Sequence, residues 1–104
     1  MFDTASTARD STALQSLAVV RDAIELHKTR TGAYPGDVGT GPDFRADVLP
    51  LLRGKFPRCP VGGQDRKVRV ETSGNPLSAG GVKSWAYDNV TGEFIINDPG
   101  YDSY

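Results

Sequence analysis

Ala13-Leu14-Gln15-Ser16-Leu17-Ala18-Val19-Val20-Arg21-Asp22-Ala23-Ile24-Glu25-Leu26-His27-Lys28 is the stretch whose reading decides the fold. Ala13, Leu17, Val20, Ile24 and His27 recur at the three-and-four spacing that lines one stripe of an α-helix. Carried outward in both directions, the pattern predicts one long helix over residues 4–31. Leu14, Val19 and Leu26 fall off that stripe, so the helix carries a second apolar surface and should have more than one partner. Its end is well marked. Lys28 and Arg30 complement the negative end of the helix dipole, Gly32 supplies a left-handed cap, and Pro35 prevents resumption. At the start, Thr12 followed by Gln15 fits a capping box that begins the helix at Ala13. Ala5, Ala8 and the mild propensities around them permit an earlier start, with Asp3 or Thr4 as cap; this start is favoured, its first turn or two frayed because nothing obvious buries them.

Beyond the helix, Tyr34-Pro35-Gly36 opens a loop through Gly39 and Gly41. A short helical segment over about 42–53 follows, in which Phe44, Val48, Leu51 and Leu52 face the core, and Pro50 kinks it or begins a separate turn. Phe56-Pro57-Arg58-Cys59-Pro60-Val61-Gly62-Gly63 is an irregular connector, because each proline removes a donor and pushes its predecessor toward extended backbone. Lys67-Val68-Arg69-Val70-Glu71 alternates polar and apolar with the period of a strand. Residues 73–81 read as a loop rich in Gly, Ser, Asn and Pro. Ser84-Trp85-Ala86-Tyr87 and Glu93-Phe94-Ile95-Ile96-Asn97 read as two further strands joined by a turn ending at Gly92. The expected sheet is a three-stranded antiparallel meander with Val68, Val70, Trp85 or Ala86, Tyr87, Phe94 and Ile96 on its apolar face. Three strands need a cover, and the helix stripe provides one. The expected fold is therefore α+β, a single domain over residues 1–104 with the sheet at about 67–97.

With 104 residues, 38% hydrophobic and 24% charged, the chain has the composition of a globular domain with one core. A net charge of −1 predicts no general attraction to polyanions, but its distribution is uneven. Arg53, Lys55, Arg58, Arg66, Lys67 and Arg69 form a central basic tract opposed only by Asp65. Residues 85–104 carry Asp88, Glu93, Asp98 and Asp102 and no cation. This split suits head-to-tail contacts between copies as well as plain solvated charge. No apolar run is long enough to span a bilayer, and no signal peptide is legible. The chain opens on Met1-Phe2-Asp3 in what reads as mid-helix, as expected of a chain truncated upstream.

Little in the chain suggests catalysis. His27 is the one histidine and lies on the apolar stripe, where it packs rather than transfers protons. Cys59 is the one cysteine; it forms no intrachain disulfide and, between two nearby prolines, reads as a structural small residue. One Cys and one His fall short of a zinc site. Asp98 and Asp102, with carbonyls around Gly100 and Asp88 across the hairpin, are calcium candidates, although the spacing matches no EF-hand. Gly62-Gly63 and Gly80-Gly81 lack the phosphate-loop pattern. Asn89-Val90-Thr91 fits the glycosylation pattern but reads more simply as a turn. No exposed stacking aromatics accompany Arg66-Lys67-Val68-Arg69, so no nucleic-acid partner is expected.

Three stretches together resemble one family. Ala18-Val19-Val20-Arg21-Asp22-Ala23-Ile24-Glu25-Leu26-His27-Lys28 with Gly32-Ala33-Tyr34-Pro35-Gly36 resembles the lower half and exit of the long helix of bacterial type IV pilin-like proteins. Phe56-Pro57-Arg58-Cys59-Pro60-Val61-Gly62 is similar to a connector in some members. Ser84-Trp85-Ala86-Tyr87-Asp88-Asn89-Val90-Thr91-Gly92-Glu93-Phe94-Ile95-Ile96-Asn97 resembles their terminal hairpin. The likeness is closest to the major pseudopilins of type II secretion. It implies a pilin-like fold, an apolar half-helix preceding residue 1, an inner-membrane anchor before assembly, and a periplasmic or extracellular filament afterwards. It also implies calcium near the C-terminus, for which Asp98 and Asp102 are the candidates here. The expected function is that of a non-enzymatic pilus or pseudopilus subunit serving protein secretion or surface attachment. Its partners would be copies of itself and related pilins. Leu14, Val19, Leu26, Arg66 and Arg69 are the subunit-contact candidates. The alternative is a minor-pilin binding module that recognises a surface, DNA or a secreted substrate through the basic tract.

Overall fold

The structure, a computed structural model, describes residues 4–52, 54–60, 65–102 and 104. Asp3 as a helix cap, Arg53 of the basic tract and Val61-Gly62-Gly63 of the connector lie outside the described residues. Helix α1 spans Thr4–Thr31 and α2 spans Gly41–Val48, followed by a 3₁₀ turn at Leu49–Leu51. Strands β1, β2 and β3 are Val68–Glu71, Trp85–Asp88 and Phe94–Ile96.

The local signals explain the element ends. Gly32 takes φ +81° and donates its N–H to Lys28 O at 2.8 Å, closing α1. Thr40 caps α2, its side chain accepting the N–H of Asp43 at 3.3 Å, with Pro42 in the first turn, where a missing N–H costs nothing. Pro50 cannot continue α2 with a backbone donor, and the chain tightens into the 3₁₀ turn there.

The sheet order is β1-β2-β3, but the sheet is mixed rather than the antiparallel meander expected from the sequence. β1 runs parallel to β2, with Val68 opposite Trp85 and Glu71 opposite Asp88; only β2 and β3 are antiparallel, with Trp85 opposite Ile96 and Tyr87 opposite Phe94. The connection over residues 72–84 has the dozen or so residues that a parallel crossover needs, whereas a tight hairpin would waste most of them.

Val68, Trp85, Tyr87, Phe94 and Ile96 face a core shared with Ala13, Leu17, Val20, Ala23 and Ile24 of α1, Phe44 and Val48 of α2, and Phe56 and Cys59 of the connector. Phe44 stacks on Tyr87 at 4.1 Å between ring centroids, and Phe94 stacks on Trp85 at 5.1 Å. Of the helix stripe read from the sequence, Ala13, Leu17, Val20 and Ile24 are buried, whereas His27, at its end, is only half-buried and lies outside the core.

The second face of the sheet is covered too. Arg69, Ala86 and Ile95 form one row across the three strands, and Ala86 and Ile95 are buried. The crossover lies over this row and is tied down by side chains on it or in line with it. Arg69 Nη2 donates to Ser78 O at 2.6 Å, Asn97 Nδ2 donates to Gly80 O and Lys83 O at 2.6 and 2.8 Å, and Glu93 accepts the N–H of Leu77 at 2.8 Å.

Candidate interaction surface

Among the described residues, one face of α1 is buried and another is left open. Its buried stripe meets the sheet, while Val19 and Leu26 point outward with 52% and 38% of their surface exposed. Seven residues apart, they lie on nearly the same face of the helix, two turns from each other. Leu51 and Leu52 from the 3₁₀ turn and Pro57 from the connector stand opposite, leaving an open groove of about 590 Å³. Asp22 and Lys55 also line it, placing one charge of each sign among the apolar residues. Leu14, grouped in the sequence with Val19 and Leu26, is instead partly buried and packs against the core. Leu51 and Leu52 pack against the core as expected but are only half-buried, so they also line the groove. The apolar density of Leu49-Pro50-Leu51-Leu52 was the available signal, since a single 3₁₀ turn cannot hide all of it.

The basic tract divides. Arg66 and Lys67 are exposed, as are Lys55 and Arg58. Arg66 Nε donates to Phe56 O at 3.0 Å, and its own carbonyl accepts from Arg45 Nη1 at 3.1 Å, so its position is set by the connector and α2. Arg69 is turned the other way. It pairs with Glu71, donates to Ser78 O, approaches Asn97 Oδ1 at 3.4 Å and has a buried Nε with no hydrogen bond. Arg69 therefore holds the crossover to the sheet, and the structure does not bring it together with Arg66 on one surface.

The calcium candidates are engaged with backbone donors. Asp98 Oδ1 accepts the N–H of Gly100 at 2.9 Å, and Asp102 Oδ2 accepts that of Ala79 at 3.2 Å. Asp88, considered as their helper, sits at the other end of the β2–β3 ladder. Its buried carboxylate accepts the N–H groups of Val90, Thr91 and Gly74 at 2.7, 3.2 and 3.0 Å. Among the described residues, three ligand-type side chains come within 4.8 Å of one another at Asp37, Asp43 and Asp47. Asp43 and Asp47 there accept the N–H groups of Val38 and Gly36, which fixes the loop leaving α1. These acids order turns, a role short side-chain carboxylates fill readily.

His27 Nδ1 lies 3.0 Å from Ala33 O at the end of α1, and Cys59 is completely buried in the core. Asn89 Nδ2 donates to Gly36 O at 2.9 Å, so the glycosylation-type asparagine is committed to the turn. The tail returns to the helix: Tyr101 Oη donates to Asp10 Oδ1 at 2.6 Å, and Arg21 Nη2 donates to Tyr104 O at 2.6 Å. The Asp10 hydrogen bond holds the Tyr101 phenol above its ordinary ionisation range, with burial and the Asp10 charge adding to it. Arg21 also donates through Nε to Phe94 O at 3.0 Å; burial lowers its pKa and the nearby Glu93 charge opposes that. No helix among the described residues is long and apolar enough to cross a membrane.

No family model, curated protein or solved structure matches this chain.

Proposed function

We propose that this chain is the head of a filament subunit of the pilin or pseudopilin type, acting by repeated self-association rather than by catalysis. The observation that carries the reading is the outer face of α1. A helix already buried along one stripe keeps Val19 and Leu26 exposed beside Leu51, Leu52 and Pro57. An apolar groove rimmed by charges of both signs is the kind of surface that contacts between subunits cover. Filled by a different part of a neighbouring subunit's surface, the groove would make a heterologous contact, the kind that propagates into a filament. In this reading an apolar half-helix precedes the chain, anchoring the subunit in the inner membrane before assembly and lying in the filament core afterwards.

The test uses the subunit with its apolar half-helix. The double substitution V19E/L26E puts two carboxylates on the outer face, where surface changes alter stability by only about 0.5 kcal/mol. Filaments should disappear while the thermal melt of the head stays near that of the parent. Undiminished filaments in the double variant, or a parent subunit that remains soluble and unassembled in cells, would sink the proposal.

A further inference from the structure

The mixed sheet gathers cations that the sequence scatters. Because β1 and β2 are parallel, Lys67 and Lys83, which precede them, lie at the same end of the sheet, where Trp85 N–H donates to Lys67 O at 3.1 Å. The connector joins them: Cys59 N–H donates to Asp65 O at 3.0 Å, and Arg66 Nε donates to Phe56 O. Arg66, Lys67 and Lys83 are exposed in the segments at this end, and Arg58, also exposed, precedes the Cys59 that bonds to Asp65. Asp65 lies among them. Its partial burial would raise its pKa, but the N–H of Lys67 and the Ser84 hydrogen bonds outweigh burial and hold the carboxylate ionised, turned toward backbone. Asp98 and Asp102 lie to the β3 side and accept backbone N–H groups.

The direction this end faces follows from the contacts. β3 finishes here, with Ile96 opposite Trp85, and the tail runs on to Tyr101, which reaches Asp10 in the first half of α1. The far end of the sheet meets the other end of the helix, where Gly92 lies against the Tyr34 ring just past α1. The end of the sheet that carries the four cations is therefore the one nearer the N-terminus of α1.

We infer that Arg58, Arg66, Lys67 and Lys83 form a docking face for the phosphate headgroups of an anionic lipid surface. The inference rests on the proposed function for where the membrane lies, since a helix anchored through its N-terminal side presents this end to the bilayer. Several cations within a Debye length of an anionic leaflet attract it jointly. A flat array of phosphates suits the face better than a single-stranded nucleic acid, because Phe56 and Trp85, in the segments that carry the cations, are buried, and the half-buried Tyr101 is tied to Asp10.

The test is co-sedimentation of the 104-residue chain with vesicles of phosphatidylglycerol and phosphatidylcholine, against vesicles of phosphatidylcholine alone. Binding should favour the anionic vesicles at least tenfold at low salt and fall away by about 0.5 M salt. K67E/K83E should reduce it at least tenfold, and K67R/K83R should retain it, which separates loss of charge from loss of fold. Equal binding to both vesicle types, or unchanged binding by K67E/K83E, would overturn the inference. Displacement by inorganic phosphate at the same headgroup concentration would reassign the face to a single-anion site and also overturn it. So would tighter binding to duplex DNA of equal phosphate concentration, or sedimentation of the chain without vesicles as its own oligomer. Filament assembly by the anchored subunit is scored separately, so vesicle binding can fail with assembly intact and the reverse.

Discussion

Tyr87 donates a 2.8 Å hydrogen bond from its buried hydroxyl to the carbonyl of Pro35. The middle strand of the sheet thereby holds the chain where it leaves the long helix, and Asn89 reinforces the same join through Gly36 O. The orientation of α1 on the sheet is fixed at its C-terminal end by these two bonds, and at its other end by Tyr101 and Asp10.

Tyr87→Phe should cost about 1–2 kcal/mol at neutral pH, because it leaves the Pro35 carbonyl without its donor in a buried setting. The same residue sets a pH dependence. Burial pushes the Tyr87 phenol well above its ordinary value, and the nearby Tyr34, Asp88, Asp47 and Glu25 charges push it further. A folded-state pKa above the unfolded one contributes stability in full below the unfolded value, near 10, and loses it as pH rises beyond that. Denaturant melts from pH 8 to 11 should show the parent losing stability above about pH 10, with a shallower loss in Tyr87→Phe.

Gly41→Ala should destabilise by about 1–3 kcal/mol, the usual cost of overpacking. A Cβ at position 41 would stand 2.6 Å from Val68 O, a backbone atom of β1 that cannot rotate away. The substitution must push α2 off the sheet, and Phe44 moves with it out of its stack on Tyr87. A lowered thermal midpoint with weakened near-ultraviolet circular dichroism checks this; an unchanged melt would show that α2 does not need its close approach to β1.

Asp88→Ala should cost about 1.5–3 kcal/mol, the range for hydrogen bonds to a charged group. It removes the acceptor of three backbone donors, which belong to both the Val90–Thr91 turn and Gly74 at the start of the crossover. Asp88→Asn keeps the size but must present its NH₂ to one set of donors, and should fall between parent and Asp88→Ala. Chemical denaturation of the three proteins orders them.

Asn97→Ala should free the crossover from the sheet. Asn97 makes three hydrogen bonds to it, accepting from Gly80 N–H and donating to Gly80 O and Lys83 O. Faster amide exchange and faster proteolytic cleavage within residues 75–83 are expected, while α1 keeps its protection. Protection lost equally in α1 would mean that the crossover and the core open as one unit.

The helix was legible because its signals are local. The three-and-four spacing of Ala13, Leu17, Val20 and Ile24, the cations before Gly32 and the proline at 35 each act within a turn or two of chain. The same holds for α2, where Thr40 and Pro42 mark the start, and for the β2–β3 turn closed at Gly92. Leu14 packs partly against the core because it lies three positions from Leu17, only about 60° from it round the helix, whereas Val19 and Leu26 lie on the far side of the stripe.

What the chain settled by itself is therefore each element and the helix face that would be buried. The direction of β1 was not written in its own pattern: the length of the following connection allowed a crossover, and tertiary contacts decided for it. Val68-Arg69-Val70-Glu71 alternates identically whichever way it runs, so periodicity carries no sign for parallel or antiparallel pairing. The choice came from the crossover over residues 72–84, which reaches back over the sheet and is held there by Asn97, Glu93 and Arg69. That decision buries Ala86 and Ile95, turns Arg69 inward and brings Lys67 and Lys83 to one end. Contacts between residues far apart in sequence made it, and no local propensity could have anticipated them.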